Sequence, residues 1–170
     1  MGSTALFEAE RGRLTGLATR LLGDRHEAED IVQSAWLRLH GTDALLENPA
    51  AWLTTVTTRL CLDRLRARVA VPVELDERVR AESPDPTDSL ERRDAVAQAL
   101  HVVVDRLSPN ERVALVLHES FGYGFAEIGG ILDRSPAAAR KLASRAREKV
   151  ASAERGGPVP EGSVVDAFMA

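Results

Sequence analysis

Turn-forming residues divide the segment 107–150 into three short helices, and this division constrains the fold more than any other feature of the chain. Gly122 and Gly124 mark the first turn, and residues 133–136 (DRSP) mark the second. Two short helices joined by such a turn are typical of a helix-turn-helix, whose second helix lies in the major groove of DNA. The segment therefore predicts a DNA-binding unit.

The last helix of this unit is predicted to have two different faces. Its inward face carries small and apolar side chains at helical spacing: Ala139, Leu142, Ala143 and Ala146. Its outward face carries polar and basic side chains: Arg140, Lys141, Ser144, Arg145 and Arg147. Residues 134–149 have a net charge of +5. Because cations that contact phosphates supply much of the affinity for DNA, the outward face is a candidate DNA-binding surface.

The charge of the chain is unevenly distributed. Its formal net charge is −4 at pH 7, which is unusual for a protein that binds DNA. Residues 59–68 have a net charge of +3, whereas residues 74–94 have a net charge of −4. Since the local distribution of charge matters more than the total, the sequence predicts two basic patches separated by an acidic connector.

The first part of the chain has the apolar spacing of consecutive helices. An apolar stripe with three-, four- and seven-residue spacing predicts a first helix that ends at Gly23. Asp24 and Glu27 have the pattern of a capping box at the start of a second helix. Residues 48–49 (NP) supply an N-cap and a first-turn proline for a third helix, which runs to about Arg68. Three such helices can bury a small shared core.

We predict an all-α fold of two small helical domains joined by an extended acidic linker. Residues 1–71 form the first domain. Residues 72–87 form the linker, because they contain three prolines, many charges and no sustained apolar period. Residues 88–155 form the helix-turn-helix domain, and residues 156–170 form a glycine- and proline-containing segment followed by the start of a further element.

Several classes of protein are excluded by what the sequence contains. A single cysteine, Cys61, excludes an internal disulfide, and the four histidines have no second ligand at metal-binding spacing. No phosphate-binding loop, dinucleotide-binding glycine motif or nucleophile elbow is present, so we expect no catalytic residue, metal or cofactor. The sequence has no apolar run long enough to cross a bilayer and no signal peptide. We therefore expect a cytoplasmic protein that is not an enzyme, does not bind a membrane and has no small-molecule substrate.

Three segments resemble the conserved regions of the sigma-70 family. Residues 24–40 (DRHEAEDIVQSAWLRLH) resemble the D-AEDIVQ-x-x-F/W-LR segment of region 2, and residues 48–68 are similar to the helix that follows it. Residues 107–150 resemble region 4 through the elements L-x-x-x-x-R, G-x-x-x-x-E-I-x-x-x-L and S-R-A-R-E. With no region 3 between them, the chain looks like an extracytoplasmic-function (ECF) sigma factor. Its C-terminal part resembles the SigJ-type group, with most of the SnoaL-like domain of that group absent.

This resemblance implies a protein that binds core RNA polymerase, reads the −35 and −10 elements of promoter DNA and helps to open the duplex. Further partners that it implies are an anti-sigma factor and a C-terminal SnoaL-like regulatory domain. The residues matched to the −35 element are Arg140, Lys141, Ser144, Arg145 and Arg147. Those expected to face the −10 element are Thr55, Thr58, Arg59 and Arg66. Those matched to the polymerase-binding face of the second helix are Asp30, Gln33 and Arg38.

Two other functions are compatible with parts of the sequence. A stand-alone helix-turn-helix transcriptional regulator is the main alternative, but it needs a dimer interface to match a palindromic operator, and no long apolar surface helix offers one. An interaction protein that no longer binds DNA is the second alternative, and the basic outward face of the last helix argues against it. Trp52 is compatible either with lining the −10 site or with an ordinary place in the core.

Overall fold

The computed structural model of the protein describes residues 2–70 and 105–156. Within these ranges the chain consists of helices and turns and contains no strand, which confirms the all-α prediction. The expected linker at residues 72–87, the first part of the expected helix-turn-helix domain up to residue 104, and the C-terminal segment 157–170 lie outside the described residues.

Three helices make up the first half of the described structure: α1 (Ser3–Leu22), α2 (Arg25–His40) and α3 (Pro49–Ala70). Glycine and side-chain caps lie at the predicted ends of these helices. Gly23 ends α1 in the left-handed conformation with a φ of 75°, which glycine adopts without strain. The Asp24 carboxylate accepts a hydrogen bond from the Glu27 N–H at 2.9 Å, and the Asn48 side chain accepts one from the Ala51 N–H at 3.0 Å.

The second half contains α4 (Pro109–Leu115), α5 (Phe125–Leu132) and α6 (Pro136–Gly156). The apolar spacing of residues 109–120 predicts one continuous helix, but its last five residues, Val116–Ser120, form a π-helical turn that directly follows α4. In this wider turn the His118 ring lies 2.9 Å from the carbonyl oxygen of Tyr123 and stacks on Phe125 at 4.3 Å between ring centroids. These contacts are one physical reason for the departure from a regular α-helix.

The Glu111 carboxylate connects the start of α4 to the C-terminal part of α6. Ser108 and Glu111 form the reciprocal capping box that their spacing predicts, and Lys149 donates to the same Glu111 carboxylate at 2.7 Å. Burial alone raises the pKa of Glu111, but the hydrogen bonds from Lys149 and Ser108 outweigh it and leave that pKa below its ordinary value. Glu111 therefore stays ionised and holds α6 against α4.

One apolar core runs through both halves. Its largest fully buried apolar side chains come from α1, α3, α4, the π-helical turn and α5: Leu14, Leu17, Leu21, Leu53, Val113, Val116, Leu117 and Ile128. A second, smaller cluster joins Leu107 and Leu115 to the C-terminal half of α6 through Ala146 and Val150. Because side chains of both halves belong to the larger cluster, the two predicted domains pack against each other in this structure.

Of the two adjacent glycines near the end of α5, only Gly129 is required by the turn between α5 and α6. A Cβ atom at Gly129 would lie 2.6 Å from the carbonyl oxygen of Arg134, whereas a Cβ at Gly130 would have no atom within 4 Å. The Arg134 N–H also bonds to the Gly129 carbonyl oxygen at 2.8 Å, so the backbone passes close to Gly129.

We predict opposite effects of alanine at these two positions. Gly129→Ala should lower the free energy of unfolding by about 1 to 3 kcal/mol, because backbone must move to admit the methyl group. Gly130→Ala should be neutral or should stabilise the protein by up to about 1 kcal/mol, the difference in helix propensity. Urea denaturation followed by circular dichroism measures both variants, and equal stabilities would contradict the close approach at Gly129.

Candidate nucleic-acid interface

The recognition helix α6 presents a continuous polar face to solvent. Arg140, Lys141, Ser144 and Arg145 are all exposed, while Ala139, Ala143 and Ala146 are buried against the rest of the protein. The structure therefore orients these side chains as the sequence predicts. Ser135 begins the helix by accepting a hydrogen bond from the Ala138 N–H at 3.1 Å, which fixes the end of α6 nearest this face. We call these four exposed residues the α6 face.

Arg140 is partly positioned by an aromatic ring. Its guanidinium carbon lies 5.4 Å from the centroid of the Phe125 ring, at the start of α5. This cation–π contact leaves the guanidinium exposed and free to donate hydrogen bonds. A side chain that is already oriented loses less conformational entropy on binding.

Arg147 differs from the four residues of the α6 face. Its half-exposed guanidinium forms an ion pair with Glu119, a mostly buried residue of the π-helical turn. A phosphate contact by Arg147 must compete with this pair. Helical spacing alone groups Arg147 with these four residues, because it gives no information about a contact with Glu119, 28 positions earlier in the chain.

Arg59 of α3 contacts the second half of the protein. Its Nε donates to the carbonyl oxygen of Ile131 at 3.2 Å and one terminal nitrogen donates to that of Gly130 at 3.2 Å. The same nitrogen lies 3.4 Å from Asp133, which is largely exposed. The guanidinium thus lies at the C-terminal end of α5, where the carbonyl groups carry partial negative charge.

The other arginines of α3 also have protein partners. Arg66 donates to the Asn110 side chain at 3.2 Å, and Arg68 donates to the carbonyl oxygen of Leu22 at 2.9 Å. Arg64 and Arg68 form ion pairs with Glu27. The capping-box prediction for Asp24 and Glu27 is therefore only half fulfilled, because the Glu27 carboxylate is directed to α3.

Thr58 does not fit its expected place at the −10 surface. It is fully buried, and its hydroxyl has no hydrogen-bond partner among the described residues, so it cannot contact DNA in this arrangement. Thr55 is half-buried and donates to the Ala51 carbonyl oxygen at 3.1 Å. Trp52 is half-buried and packs against the core cluster. Sequence patterns could not place these side chains, because α3 is covered on more than one side.

The expected polymerase-binding face of α2 is exposed and also contains an apolar residue. Asp30, Gln33 and Arg38 are all exposed. Leu37, on the same helix, is 62% exposed. The spacing of Asp30, Gln33 and Leu37 places them on one face, with Arg38 at its edge. This spacing was visible in the sequence, but Leu37 was indistinguishable there from a core residue.

No helix in residues 2–70 and 105–156 is long and apolar enough to span a membrane. In the same residues no three His, Cys, Asp or Glu side chains gather in a group that could hold a metal ion.

Each half of the described structure matches a known protein family. Residues 6–70 match Sigma-70 region 2, and residues 97–150 match Sigma-70 region 4, so the two matches together span more than half of the chain. The chain belongs to the sigma-70 family. Both regions occur in the order that the sequence motifs indicated, and their described parts coincide with the two halves of the structure.

Relatives of this sigma-70-family chain include ECF sigma factors. It is 44% identical to the ECF RNA polymerase sigma factor SigJ of Mycobacterium tuberculosis, over 85% of this chain and 48% of SigJ. The crystal structure of SigJ matches with a TM-score of 0.58 at 41% identity, over 86% of this chain and 52% of that one. The chain spans about half the length of the curated relatives it matches. The resemblance to SigJ-type ECF factors is thus confirmed.

A more distant solved structure shares the fold. The sigma factor RpoE of Bartonella quintana, crystallised with the anti-sigma factor NepR, matches with a TM-score of 0.56 at 23% identity. The match covers 86% of this chain and 92% of RpoE. At this level of identity the similarity supports the arrangement of helices alone.

Proposed function

We propose that the chain is an ECF-type RNA polymerase sigma factor, which binds core RNA polymerase and directs promoter-specific initiation of transcription. The observation that carries this proposal is the presence of sigma-70 regions 2 and 4 in one chain, with a continuous exposed basic face on the recognition helix. It acts in the cytoplasm, where core polymerase is found, and supplies no catalytic group of its own.

In this proposal α6 reads the −35 element in the major groove. Arg140 and Arg145 donate to base edges, since an arginine can bond to O6 and N7 of guanine with two parallel hydrogen bonds. Lys141 and Ser144 hold the helix to the phosphates. Arg147 contributes a phosphate contact after leaving Glu119. The ordered start of α6 and the Phe125 contact of Arg140 support this assignment.

Region 2 binds the −10 element and the polymerase through different helices. Arg59, Arg66 and Thr55 of α3 face the opened strand, for which a basic track along the backbone is required. Thr58 has no direct role in this proposal, because its side chain is buried. On α2, the exposed Asp30, Gln33 and Arg38 surround Leu37, an apolar side chain suited to the centre of a protein–protein contact.

Residues 1–71 and 88–155 act as separate functional units in this scheme, and residues 72–87 connect them. The acidic charge of residues 74–94 suits passage along basic surfaces of polymerase. We include an anti-sigma factor among the partners, because the resemblance to ECF sigma factors implies one. A SnoaL-like C-terminal domain remains a further candidate partner, as the SigJ-type resemblance implies.

Transcription from a randomised promoter library tests the proposal. Core polymerase is incubated with the library in the presence and absence of the chain, and the transcribed templates are sequenced. We expect transcripts that depend on both proteins and share two sequence motifs separated by a constant spacing. Tight duplex binding by the chain alone, with no stimulation of core polymerase, would instead support a stand-alone helix-turn-helix regulator.

A further inference from the structure

The π-helical turn acts on the recognition helix through two consecutive side chains. His118 stacks on the Phe125 ring, with 4.3 Å between the ring centroids and 22° between the ring planes, and the Arg140 guanidinium carbon lies over that same ring at 5.4 Å. Glu119, the next residue of the turn, forms the ion pair with Arg147. One short segment after α4 is therefore linked to two of the basic side chains of α6.

The ring that supports Arg140 is itself held in place. The His118 Nδ1 lies 2.9 Å from the carbonyl oxygen of Tyr123, and because a carbonyl oxygen can only accept, this nitrogen donates and fixes the plane of the imidazole. Phe125 is half-buried and packs against the apolar core as well as against His118. Since the attraction between a cation and a ring depends on the ring face, a fixed ring gives the exposed Arg140 guanidinium a preferred position.

Arg147 has the opposite kind of contact. The side chain of its partner Glu119 is only 17% exposed, so little water is available to replace the guanidinium beside this carboxylate. If Arg147 moves to a phosphate, the carboxylate loses its partner in a partly desolvated place. The net gain from a phosphate contact by Arg147 is therefore smaller than the gain from an arginine that starts without an ion pair.

We propose that the π-helical turn sets which cations of the recognition helix are available to DNA: through His118 and Phe125 it positions Arg140 toward a base, and through Glu119 it restrains Arg147 from the phosphates. Phe125 and Glu119 are positioning residues that act through these two arginines. This role rests on the proposed function, whereas the two contacts themselves do not. Because base contacts carry sequence information and phosphate contacts do not, the turn favours specificity over general affinity.

The contact between Arg140 and Phe125 is tested in the free chain, without DNA or polymerase. Arginine Nε–H signals are recorded by NMR of the isotope-labelled protein, and Arg140→Lys identifies the signal of Arg140. We expect this signal to be displaced by the ring current of Phe125 and to return to the ordinary arginine position in Phe125→Leu. An Arg140 signal at the same position in the original protein and in Phe125→Leu would overturn the proposal.

Promoter discrimination by the complex of the chain with core polymerase tests the role of the ring. Arg140→Ala should remove the preference at one base pair of the −35 element. Phe125→Leu should reduce the preference at that same base pair by about two- to fivefold, as expected of an exposed cation–π contact. The double variant should be no worse than Arg140→Ala alone, because the ring acts through that arginine. Phe125→Tyr keeps the aromatic face and should keep the preference. Equal losses at all base pairs, or additive losses in the double variant, would show a merely structural role and contradict the proposal.

Phe121 supplies a matched control for the ring. It is also half-buried and lies under an arginine, with 5.5 Å between its ring centroid and the guanidinium carbon of Arg20, but that arginine belongs to α1. Phe121→Leu makes the same chemical change as Phe125→Leu and should leave the base preference at the −35 element unaltered. The same loss of preference in both variants would trace the effect to a general loosening of this part of the protein and would rule out the positioning role.

Glu119→Gln tests the restraint on Arg147. The amide keeps the shape of the side chain but removes the ion pair, so the complex should bind all −35 sequences about two- to fivefold more tightly, with an unchanged base preference. Glu148→Gln removes the same charge from an exposed site on α6 and should raise the affinity less. Circular dichroism verifies that each variant is folded. Equal effects of the two substitutions would show that charge alone matters and that Glu119 does not restrain Arg147.

The outcomes distinguish failure of the positioning role from failure of the proposed function. If the chain directs promoter-specific transcription but Phe125→Leu has no effect confined to one base pair, the positioning role is wrong and the sigma-factor function stands. If the Arg140 signal is displaced as expected but the chain gives no promoter-specific transcription with core polymerase, the proposed function fails. The positioning role then fails with it, although the contact between Arg140 and Phe125 remains.

Discussion

Promoter-specific transcription should fall by about thirtyfold or more when Arg140 and Arg145 are both replaced by alanine, because each bidentate contact with guanine contributes about 1 to 3 kcal/mol of discrimination. Both side chains are exposed on α6, so their loss leaves the buried alanine stripe intact. The measurement is run-off transcription from a selected promoter with core polymerase. Binding of the variant to core polymerase should remain unchanged, since α2 carries the proposed polymerase face.

A matched control removes the same charge elsewhere. Arg106 and Arg155 are exposed and lie outside the α6 face, so Arg106→Ala with Arg155→Ala lowers the net charge equally. We expect this control to keep the promoter preference and to lose only the small affinity that general charge provides. Equal losses in the two double variants would show that α6 contributes charge alone and no base recognition.

Replacing Arg112 with methionine should reduce the free energy of unfolding by about 2 to 4 kcal/mol, because it leaves a buried carbonyl group without its charged donor. Arg112 is only 7% exposed and donates to Leu21 at the end of α1 and to Asp105. Burial lowers the pKa of Arg112 and the nearby Asp105 raises it, yet the guanidinium remains a cation at neutral pH. Urea denaturation followed by circular dichroism measures the loss.

The control for Arg112 is another arginine of the same segment. Arg106 is exposed, and Arg106→Met makes the same chemical change without uncovering a buried acceptor. We expect this variant to be about as stable as the original protein, within ~0.5 kcal/mol. If Arg112→Met were as stable as Arg106→Met, the buried hydrogen bond from Arg112 to the Leu21 carbonyl oxygen would have no part in joining the two regions.

Helix ends were predictable because their determinants are local. Gly23, Asn48, Ser108 and Ser135 all act on atoms within about four residues of themselves, so a short stretch of sequence contains the whole interaction. The two faces of α6 were predictable for a similar reason, since one apolar period fixes both. These elements account for the helix-turn-helix and for the orientation of the α6 face.

Contacts between distant segments were not predictable in the same way. Arg59 meets the end of α5 across 71 to 74 positions, and Arg66 meets Asn110 across 44. The burial of the Thr58 side chain and the ion pair between Arg147 and Glu119 likewise depend on how the helices pack together. A pattern of residue types gives the spacing of side chains along one helix but not the surface that will cover it. The π-helical turn after α4 escaped prediction because its contacts form only in the folded protein.

Binding of the purified chain to core RNA polymerase tests the central claim most directly. Fluorescence anisotropy of the labelled chain should give a saturable one-to-one complex, and Asp30→Arg with Leu37→Asp should weaken it by at least about tenfold. Glu29→Arg, an exposed change on the neighbouring face of α2, should leave the affinity unaltered. No complex at any concentration, or equal affinities for the two α2 variants, would contradict a sigma factor that docks through this face.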